Sequence, residues 1–186
     1  MNKLLLSTAF AAVAIAGGAL AFAPAARASD GTITFTGKVL SSTCTVSNAT
    51  SGNVTVALPD VQSSVFTGKG TVAGLTPFSL VLAGCPTTPS GVSVGAIFSG
   101  STIDTSTGAI TNGTATGDSN VEVQMTNSSG TALNLNSQGT YGLVTATVSS
   151  SGAATLGYEA QYYQPTSTAI TPGLVNTSVT FTLTYN

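Results

Sequence analysis

Two cysteines, Cys44 and Cys85, are the residues whose chemistry is easiest to assign, and they lie 41 positions apart. A redox-active pair normally has the close spacing of a Cys-x-x-Cys motif. Two distant cysteines in an exported chain are instead expected to form a structural disulfide. On the loop-entropy model, a closure of this size stabilises the fold by roughly 4 kcal/mol. The sequence therefore predicts a structural bond between these two residues.

Carboxylates are the next groups that could do chemistry. The candidates are Asp104, Asp118, Glu122 and Glu159. Glycosidase chemistry needs two carboxyl groups at a set separation, and the spacing of these four recommends no pair. Serine chemistry lacks its usual base because the chain has no His. We predict no enzymatic activity and interpret the acids as loop and solvent-face residues.

The composition also restricts the partners of the chain. Of 186 residues, 42% are hydrophobic and 5% are charged, with four Lys plus Arg and a formal net charge of -2. So few basic residues argue against nucleic-acid binding, which depends on neutralising phosphates. Without His, and with one cysteine pair, the usual ligands of zinc and haem are missing. We expect no metal and no other cofactor.

Residues 1–28 have the features of a secretory signal peptide. Lys3 supplies a positive start, an apolar run extends from Leu4 to Phe22, and Ala26-Arg27-Ala28 offers small residues to a signal peptidase. We place cleavage after Ala28. The alternative is a retained membrane anchor, because the apolar run approaches spanning length. Pro24 and the cleavage site favour removal, so we expect export without stable membrane insertion.

Apolar and polar residues alternate with a period of two through most of the remaining chain, which predicts strands. No window of ten or more residues shows a helical period, and residues 104–118 resemble a loop. Residues 149–152 are predicted to connect a hairpin. One all-β sandwich domain is expected. The predicted strands centre on residues 33–39, 54–58, 78–82, 92–98, 121–125, 133–135, 141–147, 156–162 and 179–185.

The two outermost predicted strands are the most informative. The first, Ile33 to Val39, precedes Cys44 and fits either an ordinary first strand or an extension that pairs with another chain. The last, Val179 to Tyr185, alternates up to the C-terminus, so no later strand covers its outer edge. Because an exposed apolar edge promotes aggregation, another segment is expected to cover it.

These features together resemble the chaperone–usher pilins of the type 1 fimbrial major-subunit family. Gly31 to Val39, followed by Cys44, is similar to the start of such a pilin. Phe181-Thr-Leu183-Thr-Tyr185, with Gly173, is similar to the C-terminal signature of the family. The strand before Cys85 and the run Leu156 to Tyr163 also agree, so the resemblance covers nearly the whole chain after residue 28.

The resemblance implies an immunoglobulin-like sandwich that lacks its seventh strand and is completed by a strand from a neighbouring subunit. Residues 29–40 would then be a donor-strand extension and residues 41–186 the pilin domain. The expected donor residues are Ile33, Phe35, Gly37 and Val39, with the glycine at a constricted pocket. The expected acceptor groove and chaperone contact are formed by Gly173, Val179, Phe181, Leu183 and Tyr185.

The function that the resemblance implies is that of a structural subunit of a surface fimbria, which polymerises head to tail and supports cell adhesion. Its partners would be identical or related pilins, a periplasmic chaperone and an outer-membrane usher. Two alternatives stay open: a minor adaptor that binds sugar, with Tyr158, Tyr162 and Tyr163 as stacking faces, and a self-complemented exported β-domain that fills its groove with residues 31–40.

Overall fold

The structure is a computed structural model that describes residues 33–37, 39–40, 42–113 and 120–186. Its contacts divide the chain into two units, Met1–Gly37 and Lys38–Asn186. Residues 33–37 of the first unit have no regular secondary structure. The predicted signal peptide and Asp118 lie outside the described residues.

The second unit is built almost entirely from strands, as its abundant Val and Thr predict. Among the described residues, the single helical element is a 3-10 turn at Ser63–Val65. The strands are β1 (Thr45–Val46), β2 (Val72–Ala83), β3 (Ser93–Ser99), β4 (Ile110–Thr111), β5 (Glu122–Asn127), β6 (Thr145–Thr147), β7 (Ala154–Tyr163) and β8 (Thr180–Tyr185).

The strands form two antiparallel sheets that share one core. One sheet has the order β1-β2-β7-β5-β4, and the other has the order β6-β3-β8. Leu80 and Leu156 of the larger sheet and Val94 of the smaller sheet are almost completely buried in the same cluster. Along β7 buried residues alternate with more exposed ones, so its inward apolar side chains meet those of the other sheet. The expected all-β sandwich is therefore confirmed.

The structure departs from the sequence-based strand pattern in several places. Residues 33–37 and 133–135 form no strand, and of residues 141–147 only Thr145–Thr147 do. Residues 54–58 alternate in burial as a strand would, but they belong to neither sheet. The turn at 149–152 forms, with the Gly152 N–H donating to the Ser149 carbonyl at 2.9 Å. However, the strands that it joins, β6 and β7, lie in different sheets. This segment is therefore a corner between sheets and the hairpin prediction is wrong, because local turn chemistry does not determine which strands pair.

The predicted disulfide between Cys44 and Cys85 is present, with a Cα–Cα distance of 4.1 Å. It ties the residue before β1 to the segment after β2, and both cysteines are buried. Since β1 contains only two residues, this bond is a principal attachment of the N-terminal part of the sandwich.

Candidate functional site: an open strand edge beside an apolar groove

A groove of about 1000 Å³ opens between residues 52–56 and residues 176–181. Its floor is apolar and comes from both sheets, so the groove exposes the interior of the sandwich. The floor residues are Phe78, Leu80, Phe98, Ile110, Met125 and Ala160. A cleft of this kind has the width and chemistry to accept an extended apolar segment.

One wall of the groove is the segment Val54–Leu58. Val54, Val56 and Leu58 are half-buried and pack against the core, whereas the residues between them are exposed. No backbone hydrogen bond joins residues 54–58 to another described residue. Buried or half-buried backbone groups are normally paired, so this segment has the conformation of a strand without the neighbour that a strand requires.

The opposite wall is β8, whose only sheet partner among the described strands is β3. Asn186 and Ser93 exchange both backbone hydrogen bonds, at 2.9 and 3.1 Å. In an antiparallel pair such residues alternate, so Thr180, Thr182 and Thr184 also direct their backbone groups to β3. The residues between them direct their N–H and C=O groups towards the groove. Those residues are Val179, Phe181, Leu183 and Tyr185.

The outer edge of β3 shows how this fold covers a free edge. Beyond β6, the Gln138 side chain accepts from the Phe98 N–H at 2.7 Å and donates to the Phe98 carbonyl at 2.6 Å. On β2, the Asn48 amide likewise accepts from the Val81 N–H and donates to the Ser79 carbonyl. Natural proteins protect edges in such ways. Among the described strands, β8 is a long edge strand without comparable cover.

The predicted acceptor residues occupy different parts of this site. Val179 and Phe181 line the groove, whereas Gly173 lines a second cavity described below. Leu183 and Tyr185 lie on the same open edge and pack against the core. The Tyr185 hydroxyl accepts from the Cys44 N–H at 2.8 Å, which closes that end of β8 against the start of β1.

The apolar side chains of the predicted donor segment are exposed. The side chains of Ile33, Phe35 and Val39 are 80%, 89% and 97% exposed. No heavy atom lies within 4 Å of the position that a Cβ would take at Gly37. Three large apolar side chains so close together on one short segment form an exposed apolar surface of the kind that marks an interaction site.

A second cavity, of about 370 Å³, lies between residues 58–66 and residues 170–175. The same two chain segments therefore flank both cavities, and we call this second one the end cavity. Tyr162 forms part of its lining, and a Cβ at Gly74 would lie 3.0 Å from the Tyr162 ring. Gly74 has a φ of +71°, so both its backbone conformation and the close approach of this ring favour glycine there.

Of the three tyrosines considered as stacking faces for a sugar, Tyr158 packs in the core. Tyr158 is 2% exposed, stacks on Phe78 and meets Phe98 edge-on. Burial raises the pKa of the Tyr158 hydroxyl well above its usual range. This side chain supports the floor of the groove and has no face free for a ligand.

Two of the acidic candidates, Asp104 and Glu122, come together around Thr107. The Asp104 carboxylate accepts the N–H groups of Ser106 and Thr107 at 2.6 and 3.0 Å, and these bonds lower its pKa. Glu122 is 3% exposed and accepts from the Thr107 hydroxyl at 2.7 Å. Burial, with a smaller contribution from Asp104, raises the Glu122 pKa. The third acidic candidate within the described residues, Glu159, accepts from the Thr126 hydroxyl.

Replacement of Glu122 by Gln is expected to stabilise the protein at pH 7 and to have little effect at pH 3. A raised folded-state pKa means that stability is highest while the carboxyl group is protonated and falls as the pH rises through that pKa. Gln removes the charge and can still accept from Thr107. Melting temperatures of Glu122→Gln between pH 3 and 8 test this, with Glu159→Gln as a control for loss of one charge. A lower melting temperature for Glu122→Gln at pH 7 would contradict the prediction.

Within the described ranges, no group of three or more Cys, Asp or Glu side chains could hold a metal ion. No helix in the same part of the chain is long and apolar enough to cross a bilayer.

An all-β immunoglobulin-like sandwich with an open terminal strand is the fold of the chaperone–usher pilins. The chain belongs to the fimbrial protein family, whose profile, described as Fimbrial protein, matches residues 33–186. Major fimbrial subunit SMF-1 of Stenotrophomonas maltophilia is 41% identical over 175 residues, covering 90% of this chain and 99% of that protein. The F17 fimbrial protein of Escherichia coli is 37% identical over 171 residues, covering 90% and 93%.

Solved structures agree on the fold. The P pilus rod subunit PapA superposes with a TM-score of 0.60 at 19% identity, covering 78% of this chain and 100% of PapA. A subunit in a chaperone–usher pilus structure gives a TM-score of 0.57 at 19% identity, covering 88% and 100%. The protein is thus a fimbrial subunit, a surface component that associates with other pilin subunits, and its family is structural rather than enzymatic.

Sequence reasoning missed the contribution of residues 52–58 to the groove. The alternation of Val54, Val56 and Leu58 was visible and predicted a strand. Nothing in one sequence indicates that a strand lacks its partner, because alternation reports which side chains are buried and not which backbone groups are paired.

Proposed function

We propose that this chain is the structural subunit of a fimbrial shaft and that it polymerises by donor-strand exchange. The segment 29–40 of one copy would enter the groove of the next, between β8 and residues 54–58. The observation that carries the proposal is the presence in one chain of an apolar groove, an open edge on β8 and an exposed segment with alternating apolar residues. A head-to-tail contact that does not close on itself generates a filament.

The expected energy of the joint is large. Burying Ile33, Phe35 and Val39 would contribute roughly 1.5–3 kcal/mol each. Each backbone hydrogen bond to β8 or to residues 54–58 would add about 0.5–1.5 kcal/mol. A very long-lived non-covalent joint results, which suits a fibre that must resist shear while supporting cell adhesion.

The same groove explains why partners are needed before assembly. An open apolar groove is an aggregation hazard, so we propose that a periplasmic chaperone covers it during export and that an outer-membrane usher directs the exchange. The similarity to a major fimbrial subunit favours a shaft subunit over a minor adaptor. Quantifying the subunits in sheared surface fibres distinguishes these roles, since a shaft subunit dominates the mass and an adaptor is scarce.

A synthetic peptide of residues 29–40 is expected to bind the pilin domain lacking its own copy of this segment and to raise its melting temperature. A ligand that binds only the folded state stabilises it by RT ln(1 + [L]/Kd), about 2.7 kcal/mol at a hundredfold excess over Kd. Thermal melts with increasing peptide measure this stabilisation.

Matched peptides locate the contacts. A Phe35→Asp peptide should fail to stabilise because it would bury a charge, and a Gly37→Trp peptide should fail because the constricted pocket excludes a side chain. A Thr34→Ala peptide should behave like the parent, since residue 34 faces away from the groove. If the parent peptide leaves the melting temperature unchanged at high excess, the groove is not the acceptor.

A further inference from the structure

The donor segment joins its own domain without a linker. Val39 is 97% exposed, whereas the next residue, Leu40, is half-buried and packs against the core of its own domain. Consecutive Cα atoms are 3.8 Å apart. If Val39 lies in the groove of a second copy, as the proposed function requires, the body of the donating copy must therefore lie directly against the end of that groove.

The two ends of the groove differ in how they could receive that body. At the Tyr185 end, the Tyr185 hydroxyl is already bonded to the Cys44 N–H and β1 closes the sandwich. At the Val179 end, the chain segments that form the walls of the groove run on to flank the end cavity. A donor antiparallel to β8 places Val39 at this open end, and antiparallel pairing is also the slightly more stable arrangement per residue.

The rim of the end cavity carries exposed apolar side chains beside polar ones. Leu174 is 69% exposed and Val61 is 37% exposed, and Asp60, Ser63 and Thr171 also line the cavity. Leu174 and Val61 both line the cavity, so these side chains form one surface with it. The donor side chains Ile33 to Val39 would occupy the groove beside β8, so they would leave this rim exposed unless another part of the donating copy covers it.

We propose that the end cavity and its rim form a second contact between consecutive copies, and that its occupant is the disulfide end of the donating copy. That end includes residues 84–87, which follow β2, and the corner at 149–152, whose Gly152 carbonyl accepts from the Cys85 N–H at 3.0 Å. Neither segment carries a charge, so neither would place a like charge against Asp60, and both suit contact with Leu174 and Val61. The contact would fix the angle between neighbouring subunits as well as strengthen the joint.

The experiment compares fibres with peptide binding. Leu174→Asp fibres are expected to dissociate in denaturant about tenfold faster than wild-type fibres, since a buried charge at an interface centre is costly. The same substitution should change the affinity of the 29–40 peptide for the pilin domain less than twofold. Leu143→Asp, at a side chain that is 39% exposed and lies outside both cavities, is the matched control and should change neither measurement.

A photo-reactive amino acid at position 174 supplies a readout that does not depend on stability. Crosslinks from assembled fibres should map to residues 84–87 or 149–152 of another copy. Crosslinks only to other regions, or an unchanged dissociation rate for Leu174→Asp fibres, would overturn this second contact. An equal loss of fibre stability and peptide affinity would also overturn it, because Leu174 would then act on the groove. Failure of the wild-type peptide to bind would instead refute the proposed function.

Discussion

Removal of residues 29–40 is expected to abolish homopolymer formation while leaving export and chaperone binding intact. The deletion removes Ile33, Phe35 and Val39, whose burial would contribute about 1.5–3 kcal/mol each. It removes Leu40 from the edge of the core but leaves in place the groove walls at residues 52–56 and 176–181 and the β8 edge. Electron microscopy of sheared surface material and denaturing gels of unheated samples measure the loss of fibres and of stable multimers.

The deletion variant should still act as an acceptor, and this separates a failure to donate from a failure to fold. When it is co-expressed with the wild-type chain, it can accept one donor segment and then offer none. Fibre length should therefore fall as its proportion rises. A Thr34→Ala and Thr36→Ala double variant, altered only at positions predicted to face away from the groove, is the control and should form fibres of normal length. Normal fibres from the deletion variant alone would refute donor-strand exchange through this segment.

The sequence predicted those parts of the fold that depend on local alternation. β7 was recognisable because it buries every second residue over most of its length, and β8 because apolar residues alternate with Thr along it. The disulfide followed from two cysteines in a chain expected to be exported. The glycine- and threonine-rich stretch at 104–118 gave no sign of β4, since two residues are too few to show a period. Ile110 forms a pair there only because Val123 of β5 lies opposite.

Part of the groove was also predictable from the alternation of apolar residues. Val179 and Phe181 line the groove as expected, but Gly173 lies in the end cavity. Gln138 and Asn48 could not be recognised as edge covers, because their amides act across 40 and 33 positions of the chain. Such contacts depend on the tertiary arrangement, which local pattern does not encode.

Replacement of both cysteines by Ala is expected to cost roughly 4 kcal/mol of unfolding free energy, the loop-closure entropy of a 41-residue separation. Single domains have only about 5–15 kcal/mol in total, so the variant should be marginal. Equilibrium denaturant unfolding of the peptide-bound pilin domain, wild-type against Cys44→Ala/Cys85→Ala, measures the difference. A loss near 1 kcal/mol would contradict the loop-closure account.

The loss should also weaken donor binding, because the disulfide supports one wall of the groove. β1 contributes two residues of pairing with β2, and residues 54–58 follow it with no backbone partner among the described residues. Without the bond, this wall is attached chiefly through short β1 and the Cys44 N–H bond to Tyr185. Ser42→Ala removes one hydrogen bond of the same N-terminal segment, from the Ser42 hydroxyl to the Gly84 carbonyl, about 0.5–1.5 kcal/mol, and is the matched control. A peptide affinity that falls in the cysteine variant but not in Ser42→Ala would show that the disulfide orders the groove wall.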